Sequence, residues 1–227
     1  MNRFWNIKDN TLEINGVIAA ESWWGDEVTP KVFKDELAQC KGDIKVNINS
    51  CGGDVFAAVE IYNALKAHDG KVSVFIDSLA ASAASLIMCA GDEVVISQGG
   101  CVMIHNPATM AWGDSSEMEK AKNALEEIKE SIMNIYVTKT GLSRNLLSEM
   151  MDDETWISAY KALSLGFADK VLDDETVQNK GTMFTRNEIT KTERAVAQVI
   201  INKIKIKDEQ QEKYRAYKEK VENLLTQ

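Results

Sequence analysis

Two copies of one pattern follow each other in residues 44–92, which read IKVNINSCGGDVFAAVEIYNALKAHDGKVSVFIDSLAASAASLIMCAGD. Each copy begins with apolar residues that alternate with polar ones, as in a strand, and continues through small and polar residues into a helix. The predicted strands, connections and helices lie, in order, at 44–48, 49–53, 55–67, 72–76, 77–81 and 82–90. Repeated strand-helix-strand units are typical of a parallel sheet covered by helices. We therefore predict an α/β fold.

The flanking sequence adds further strands and helices to these units. Strands are predicted at 11–20 (interrupted at Gly16), 93–97, 102–105 and 167–172, and helices at 30–40, 114–138, 143–151 and 158–166. The helix at 114–138 starts with a capping box from Asp114 to Glu117 and carries a regular apolar stripe. Such a stripe is suited to packing against another helix, either in the same domain or in another subunit.

The composition argues against several classes of protein. The 227-residue chain has a formal net charge of -9 and no basic stripe, so nucleic acid is not an expected partner. Four cysteines without C-x-x-C spacing and only two histidines argue against a zinc site, and we expect neither a metal nor a cofactor. Neither a signal peptide nor a membrane-spanning stretch is predicted. We expect unpaired cysteines in a cytoplasmic protein.

Ser82 and His105 occupy positions where parallel-sheet proteins carry catalytic groups. His105 closes a predicted strand, and side chains at the carboxyl ends of parallel strands meet at one edge of the sheet. Ser82 begins a helix of small residues, where unpaired N–H groups can stabilise an oxyanion, although a structural role as a helix N-cap stays open. Ser78 and Ser85 are alternative nucleophiles, but Ser85 lies one helical turn further on and is expected to point inward.

The turn before the first helix of the repeated pattern contains the glycine pair Gly52 and Gly53. Glycine permits a positive φ and exposes the backbone N–H, so this turn could form half of an oxyanion hole or hold an extended peptide. A Gly-Gly turn with no further role is the alternative.

Four segments resemble successive motifs of the Clp protease proteolytic subunit family, especially its phage and prophage members that mature capsids. They are NSCGGDVFAAVEIYNAL at 49–65, SLAASAASLIMCAGD at 78–92, GGCVMIHNPAT at 99–109 and ETWISAYKALSLGFAD at 154–169. The resemblance spans roughly residues 12–173, and four ordered motifs are a more specific signal than a single one. It implies the superhelix of βαβ units that this family shares with the crotonases.

The resemblance implies a serine endopeptidase and assigns a role to each candidate residue. Ser82 is the implied nucleophile, His105 the general base, and the backbone N–H groups of Gly53 and Ala83 the oxyanion hole. This assignment is chemically consistent, because a near-neutral imidazole can remove the serine proton and return it to the leaving amine.

The third catalytic residue is where the sequence departs from the family. An ungapped match places Glu154 where family members usually have aspartate, and Asp153 is the alternative acid. A solvated acidic turn at 152–154 with no part in catalysis is the competing interpretation. Two further departures are Cys51, where the family usually has proline, and Ala83, where it usually has methionine.

The family also implies an assembly and a class of substrate. The expected assembly is a homo-oligomeric ring of six or seven subunits, in which the helix at 114–138 forms a handle that meets a stacked second ring. The implied substrates are unfolded polypeptides delivered by an AAA+ unfoldase, or phage capsid and scaffold proteins cut in place. Residues 1–180 are expected to form the peptidase domain, and residues 181–227 a charged helical extension.

Three alternative functions follow from the same residues. A crotonase-like acyl-CoA enzyme shares the fold and a backbone oxyanion hole but does not need a Ser-His pair. A catalytically inactive ring or capsid-assembly protein would retain the fold and use the charged extension for binding. A Ser-Lys peptidase is disfavoured, because the matched positions provide a histidine and no evident lysine base.

Overall fold

The computed structural model describes residues 10–22 and 25–172, which form seven strands and six helices. In chain order these are β1 (Thr11–Ile18), α1 (Pro30–Leu37), β2 (Ile44–Gly53), α2 (Val55–Lys66), β3 (Val72–Ala81), α3 (Ala83–Met88), β4 (Glu93–Ser97), β5 (Cys101–Ile104), α4 (Ser115–Thr140), α5 (Arg144–Asp152), β6 (Thr155–Ser158), α6 (Ala159–Ser164) and β7 (Lys170–Leu172).

The strands form one sheet that branches at β3. The main order is β1-β2-β3-β4-β7, and β5 pairs with both β3 and β6. Within the described residues, the ladders are parallel except the one between β5 and β6. Helices connect the parallel strands, as the repeated pattern predicts, so the α/β fold class is confirmed.

The core lies between the sheet and its helices. Alternate residues of the first three strands are almost completely buried: Leu12, Ile14, Ile44, Val46, Ile48, Val72, Val74 and Ile76. The intervening residues of these strands are more exposed, which is the period of two expected for a sheet with one covered face. All six residues of α3, Ala83 to Met88, are buried, so this helix lies inside the core.

β2 and β3 are longer than the sequence predicts. Residues 49–53 and 77–81, expected to be a turn and a connection, continue the two strands. The prediction was wrong because β3 changes partner along its length. Its first part, Ser73–Ile76, pairs with β4, and its last part, Leu79–Ala81, pairs with β5. Small polar residues that suggest a turn therefore mark the place where the strand passes from one ladder to the other.

β6 is absent from the predicted elements. It consists of four residues, two of which are exposed, so its sequence lacks the clear alternation of a half-buried strand. It forms because antiparallel pairing with β5 satisfies its backbone. The helix expected to begin at Ser158 follows it directly as α6.

The long helix α4 is covered by this domain over its C-terminal part only. Asp114 accepts a hydrogen bond from Glu117 N at 3.1 Å, which confirms the N-cap half of the predicted capping box, and the helix ends at Gly141. The Glu117 carboxylate accepts from Lys120 Nζ. Its buried residues are Ile132, Met133 and Tyr136, whereas residues 115–120 are all exposed. The N-terminal half of the predicted apolar stripe therefore lies outside the core of this domain.

No helix in the described ranges combines the length and apolarity needed to cross a membrane. The expected charged extension at 181–227 and the domain boundary near residue 180 lie outside the described residues.

Candidate active site

Ser82 and His105 lie together because the strands that precede them are adjacent and parallel. The last pair between β3 and β5 joins Ala81 to Met103. Ser82 directly follows β3 and His105 directly follows β5, so both leave the sheet at its carboxyl edge. The Ser82 Oγ atom is 2.7 Å from His105 Nε2, which is a hydrogen-bonding distance between two half-buried side chains.

Ser82 has a backbone conformation that residues other than glycine rarely adopt. Its φ is 53° and its ψ is -124°, as at the first central position of a type II′ turn. Such a conformation costs roughly 1–3 kcal/mol and persists where the surroundings fix it. The Ser82 N–H donates to Met103 O at 2.9 Å, and the Ser82 carbonyl accepts from Ser85 N at 2.9 Å. Ser82 occupies the N-cap position of α3, as the structural interpretation expects, but its side chain makes no cap bond to the helix.

The glycine pair brings β2 against this strained turn. A Cβ atom on Gly52 would lie 2.6 Å from Ala81 O and 2.8 Å from Ala83 N, so only glycine fits there. Gly53 pairs with Ile18 of β1, and a Cβ on Gly53 would overlap the backbone of Ile18. The glycine pair is visible in the sequence, but the contact of Gly52 with the serine turn depends on how the sheet is assembled and has no local sequence signal.

The competing serines are engaged elsewhere. Ser78 Oγ donates to Asn49 Oδ1 at 2.6 Å on the exposed side of the sheet. Ser85 is completely buried, as expected, and its Oγ contacts the Ser82 carbonyl oxygen at 2.5 Å and Tyr136 OH at 2.6 Å. Tyr136 belongs to α4 and was not predicted as a site residue, because nothing in its local sequence indicates that it reaches α3.

Asp152 is part of a hydrogen-bonded cluster beside His105. It accepts from Asn106 Nδ2 at 2.7 Å and from Lys129 Nζ at 2.6 Å, and Asn106 N also donates to Met151 O at 3.2 Å. The Asn106 amide, followed by the Lys129 ammonium, lowers the pKa of the Asp152 carboxyl from its ordinary value. The cluster ties the segment after His105 to the end of α5. Residues 152–154 are all exposed, so the interpretation as a solvated turn with no part in catalysis stays an alternative.

The two candidate acids follow this cluster. The ladder between β5 and β6 ends with Ile104 opposite Thr155. His105 therefore directly follows β5 at this end of the ladder, and Glu154 directly precedes β6. Glu154 has a positive φ of 49°, and its Oε1 accepts from Trp156 Nε1 at 3.4 Å. Asp153 is the C-cap of α5, and its N–H donates to Glu149 O.

The second histidine has a structural contact. His68 Nε2 lies 2.7 Å from the Gly42 carbonyl oxygen, on the opposite side of the repeated unit from the strand ends. Within residues 10–22 and 25–172, no three His, Cys, Asp or Glu side chains are arranged to hold a metal ion. The four cysteines are unpaired, and Cys40 and Cys89 are buried.

The family model for Clp protease matches residues 16–175, which include both Ser82 and His105. The chain belongs to the Clp protease family. This Clp protease chain is also 31% identical over 132 residues to ATP-dependent Clp protease proteolytic subunits from two strains of Bacteroides fragilis. The matches cover 57% of this chain and 64% and 60% of the relatives, so the chain spans less than two thirds of the length of either.

Membership of the Clp protease family confirms the resemblance inferred from the four motifs. The match also agrees with the parallel sheet and the connecting helices of the described residues. The likeness to phage and prophage members stays a prediction.

Proposed function

We propose that this chain is a serine endopeptidase that hydrolyses peptide bonds with Ser82 as nucleophile and His105 as general base. The observation that carries the proposal is the 2.7 Å contact from Ser82 Oγ to His105 Nε2, made by a serine in a strained turn. Strained backbone conformations cluster at active sites, and a strained strand-to-helix turn is a known way to expose a nucleophilic serine. Membership of the Clp protease family supports the same activity.

The reaction begins with proton transfer from the Ser82 hydroxyl to His105 Nε2. As the proton moves, the Ser82 oxygen forms a bond to the substrate carbonyl carbon, and the carbonyl oxygen becomes an oxyanion. The carbon–nitrogen bond then breaks, and His105 gives the proton to the leaving amine. Water attacks the acyl-enzyme through the same base, which releases the acid product and restores the serine.

The backbone N–H groups of Gly53 and Ala83 are the proposed oxyanion hole. The hydrogen bond to Ile18 O, 2.8 Å long, is donated by Asp54 N, the residue after Gly53. Ala83 is the first residue of α3, whose opening N–H groups have no partner within the helix. The close approach of Gly52 to Ala83 supports a common site for both donors.

Glu154 is the proposed acid that orients His105, with Asp153 as the alternative. The register of β5 and β6 favours Glu154, because it continues the ladder opposite His105. Asp152 is disfavoured, since its carboxylate already accepts from Asn106 and Lys129.

We further propose that the substrates are unfolded or scaffold polypeptide segments and that the chain acts in a ring of six or seven copies. The N-terminal half of α4 supports an assembly, because the stripe residues Met118, Ala121 and Leu125 are exposed or only partly covered. A stacked second ring would cover this handle. An AAA+ unfoldase or phage capsid proteins are the proposed partners, and four unpaired cysteines agree with a cytoplasmic location.

The Ser82–His105 contact favours a peptidase over the alternatives. An acyl-CoA enzyme of the crotonase type needs only backbone donors at its oxyanion hole. A catalytically inactive assembly protein would not need to hold Ser82 in a costly conformation.

The test is incubation of the full chain with casein and, separately, with a fluorophosphonate, followed by intact-mass analysis. Wild type and the control Ser78→Ala are expected to cleave casein and to be labelled once, on Ser82. Ser82→Ala is expected to do neither. Equal cleavage by wild type and Ser82→Ala, or labelling of another residue, would overturn the proposal.

A further inference from the structure

Three oxygen atoms form a buried chain from α4 to the turn that carries Ser82. Tyr136 OH lies 2.6 Å from Ser85 Oγ, which lies 2.5 Å from the Ser82 carbonyl oxygen. Ser85 and Tyr136 are 0% and 2% exposed, so bulk water does not compete for these bonds. We call these three atoms the hydroxyl relay.

The direction of the bonds in the hydroxyl relay follows from the number of available protons. A serine hydroxyl has one proton, and the Ser85 hydroxyl gives it to the Ser82 carbonyl, which can only accept. Tyr136 therefore donates to Ser85 Oγ. Burial raises the pKa of the Tyr136 phenol, so its hydroxyl stays protonated and remains a donor.

The Ser82 carbonyl belongs to the same peptide group as the Ala83 N–H. In a planar trans peptide these two groups point in opposite directions, so fixing one also fixes the other. Two donors, Ser85 N and Ser85 Oγ, hold the carbonyl. Hydrogen bonds to a carbonyl also polarise its peptide group and strengthen the N–H as a donor.

We propose that Ser85 and Tyr136 are positioning residues that aim and polarise the Ala83 N–H toward the reacting carbonyl. The inference rests on the proposed function, because it requires Ala83 N–H to be an oxyanion donor. Neither side chain touches the substrate; both act through the Ser82–Ala83 peptide group. The small buried residues of α3 leave space for this arrangement, and the edge-on packing of Tyr136 against Phe167, 5.8 Å between ring centres, fixes the phenol.

The test measures how fast a fluorophosphonate labels Ser82 in the full chain. In that reaction the bond from Ser82 Oγ to phosphorus forms, the phosphorus–fluorine bond breaks, and the hydroxyl proton passes to His105. Negative charge develops on the phosphoryl oxygen, so the rate depends on the oxyanion donors. Removal of an oxyanion donor lowers the rate about 100- to 1000-fold. Each hydrogen bond in a chain strengthens the next by about 10–30%, so loss of one bond to the carbonyl weakens the Ala83 donor and lowers the rate by a smaller factor.

We expect Tyr136→Phe to slow labelling about threefold and Ser85→Ala about tenfold, with the double variant close to Ser85→Ala alone. With casein, kcat is expected to fall by the same factors while KM stays the same. The shape of the curve of labelling rate against pH is expected to stay the same, because the contact between Ser82 Oγ and His105 Nε2 is not changed. The control Cys89→Ala removes a buried donor to Ser85 O and leaves the Ser82 carbonyl bonded, so its labelling rate is expected to match wild type.

Two results would overturn the inference. One is a labelling rate equal to that of the wild type in folded Ser85→Ala and Tyr136→Phe, even if their unfolding temperatures are lower. The other is equal slowing in Cys89→Ala. If Tyr136→Phe does not fold, the labelling rates of Ser85→Thr and Ser85→Ala are compared instead. Threonine retains a hydroxyl that can donate to the Ser82 carbonyl, so Ser85→Thr is expected to be labelled faster, and equal rates would overturn the inference. A wild type that is not labelled at Ser82 is a separate result, because it overturns the proposed function itself and the inference with it.

Discussion

Gly52 lies so close to Ser82 that a Cβ atom on Gly52 would stand 2.7 Å from the Cβ of Ser82. Real Cβ atoms do not approach this closely, and the φ of +93° at Gly52 also disfavours any side chain. The glycine therefore determines how near β2 can come to the nucleophile.

Replacement of this glycine is expected to lower both stability and activity. Gly52→Ala is expected to lower the free energy of unfolding by about 2 kcal/mol or more, from strain and overlap. Casein cleavage should fall by at least about 100-fold, because the Ala83 donor must move. Gly99→Ala is the matched control, since a Cβ there meets no atom within 4 Å. Similar activity in the two variants would contradict the role given to Gly52.

Stability and activity should separate at Ser82. Because glycine adopts the φ of 53° without strain, Ser82→Gly is expected to be about 1 kcal/mol more stable than Ser82→Ala, while both are inactive. Urea unfolding of the two variants measures the difference. If Ser82→Ala proved as stable as Ser82→Gly, the strain assigned to this turn would be wrong.

The identity of the orienting acid is open to a direct comparison. Glu154→Gln is expected to lower kcat by up to about 10,000-fold, as loss of the orienting acid does in other triads, whereas Asp153→Asn should stay near wild type. The measurement is steady-state hydrolysis of labelled casein by each variant. The opposite pattern would move the role to Asp153, and near-normal activity in both variants would contradict a role for either residue as the orienting acid.

Asp152 predicts a pH-dependent contribution to stability. Its pKa in the folded chain lies below the ordinary 3.8, so folding favours the ionised carboxylate. That contribution is present above the unfolded pKa and is lost as pH falls through the lower, folded value. Asp152→Asn should therefore be less stable than wild type at pH 7, and the difference should shrink below pH 3.8. Denaturant unfolding at several pH values tests this, and a constant difference would contradict it.

Assembly through α4 predicts a variant that folds but does not associate. Leu125 lies in the part of the apolar stripe that has no buried residue, so Leu125→Glu should disrupt an oligomer while changing the unfolding free energy of one subunit by no more than about 0.5 kcal/mol. Light scattering after size-exclusion chromatography measures the mass. Asn123→Glu adds the same charge at an exposed position of the same helix. Loss of assembly in both variants would point to charge alone.

The sequence predicts those parts of the fold that depend on local pattern. The alternation in Val46 and Ile48 and the cap at Asp114 each involve neighbouring residues, and both are found in the structure. β6 and the extension of β3 depend instead on a partner strand far along the chain, so no local window contains the cause.

The candidate site divides in the same way. Ser82 and His105 could be selected because Ser82 begins a helix and His105 closes a strand, and both elements are visible locally. The contact of Gly52 with Ser82 and that of Tyr136 with Ser85 depend on how the sheet and helices pack. No local stretch of sequence shows which residues such packing brings together. The motif match favours Glu154 among the carboxylates of residues 152–154, but the hydrogen bonds of Asp152 with Asn106 and Lys129 could not be predicted from the sequence.

The pairing of β3 with both β4 and β5, in addition to β2, has a consequence for the precision of the chemistry. A strand that is bonded to β4 at one end and to β5 at the other cannot slide along either without breaking bonds in both. A slip of one residue would carry the nucleophile about 3.3 Å, more than the length of its bond to the imidazole. The alignment of the reacting atoms is therefore maintained by the hydrogen bonds of the whole sheet. It does not depend on the rigidity of a surface loop.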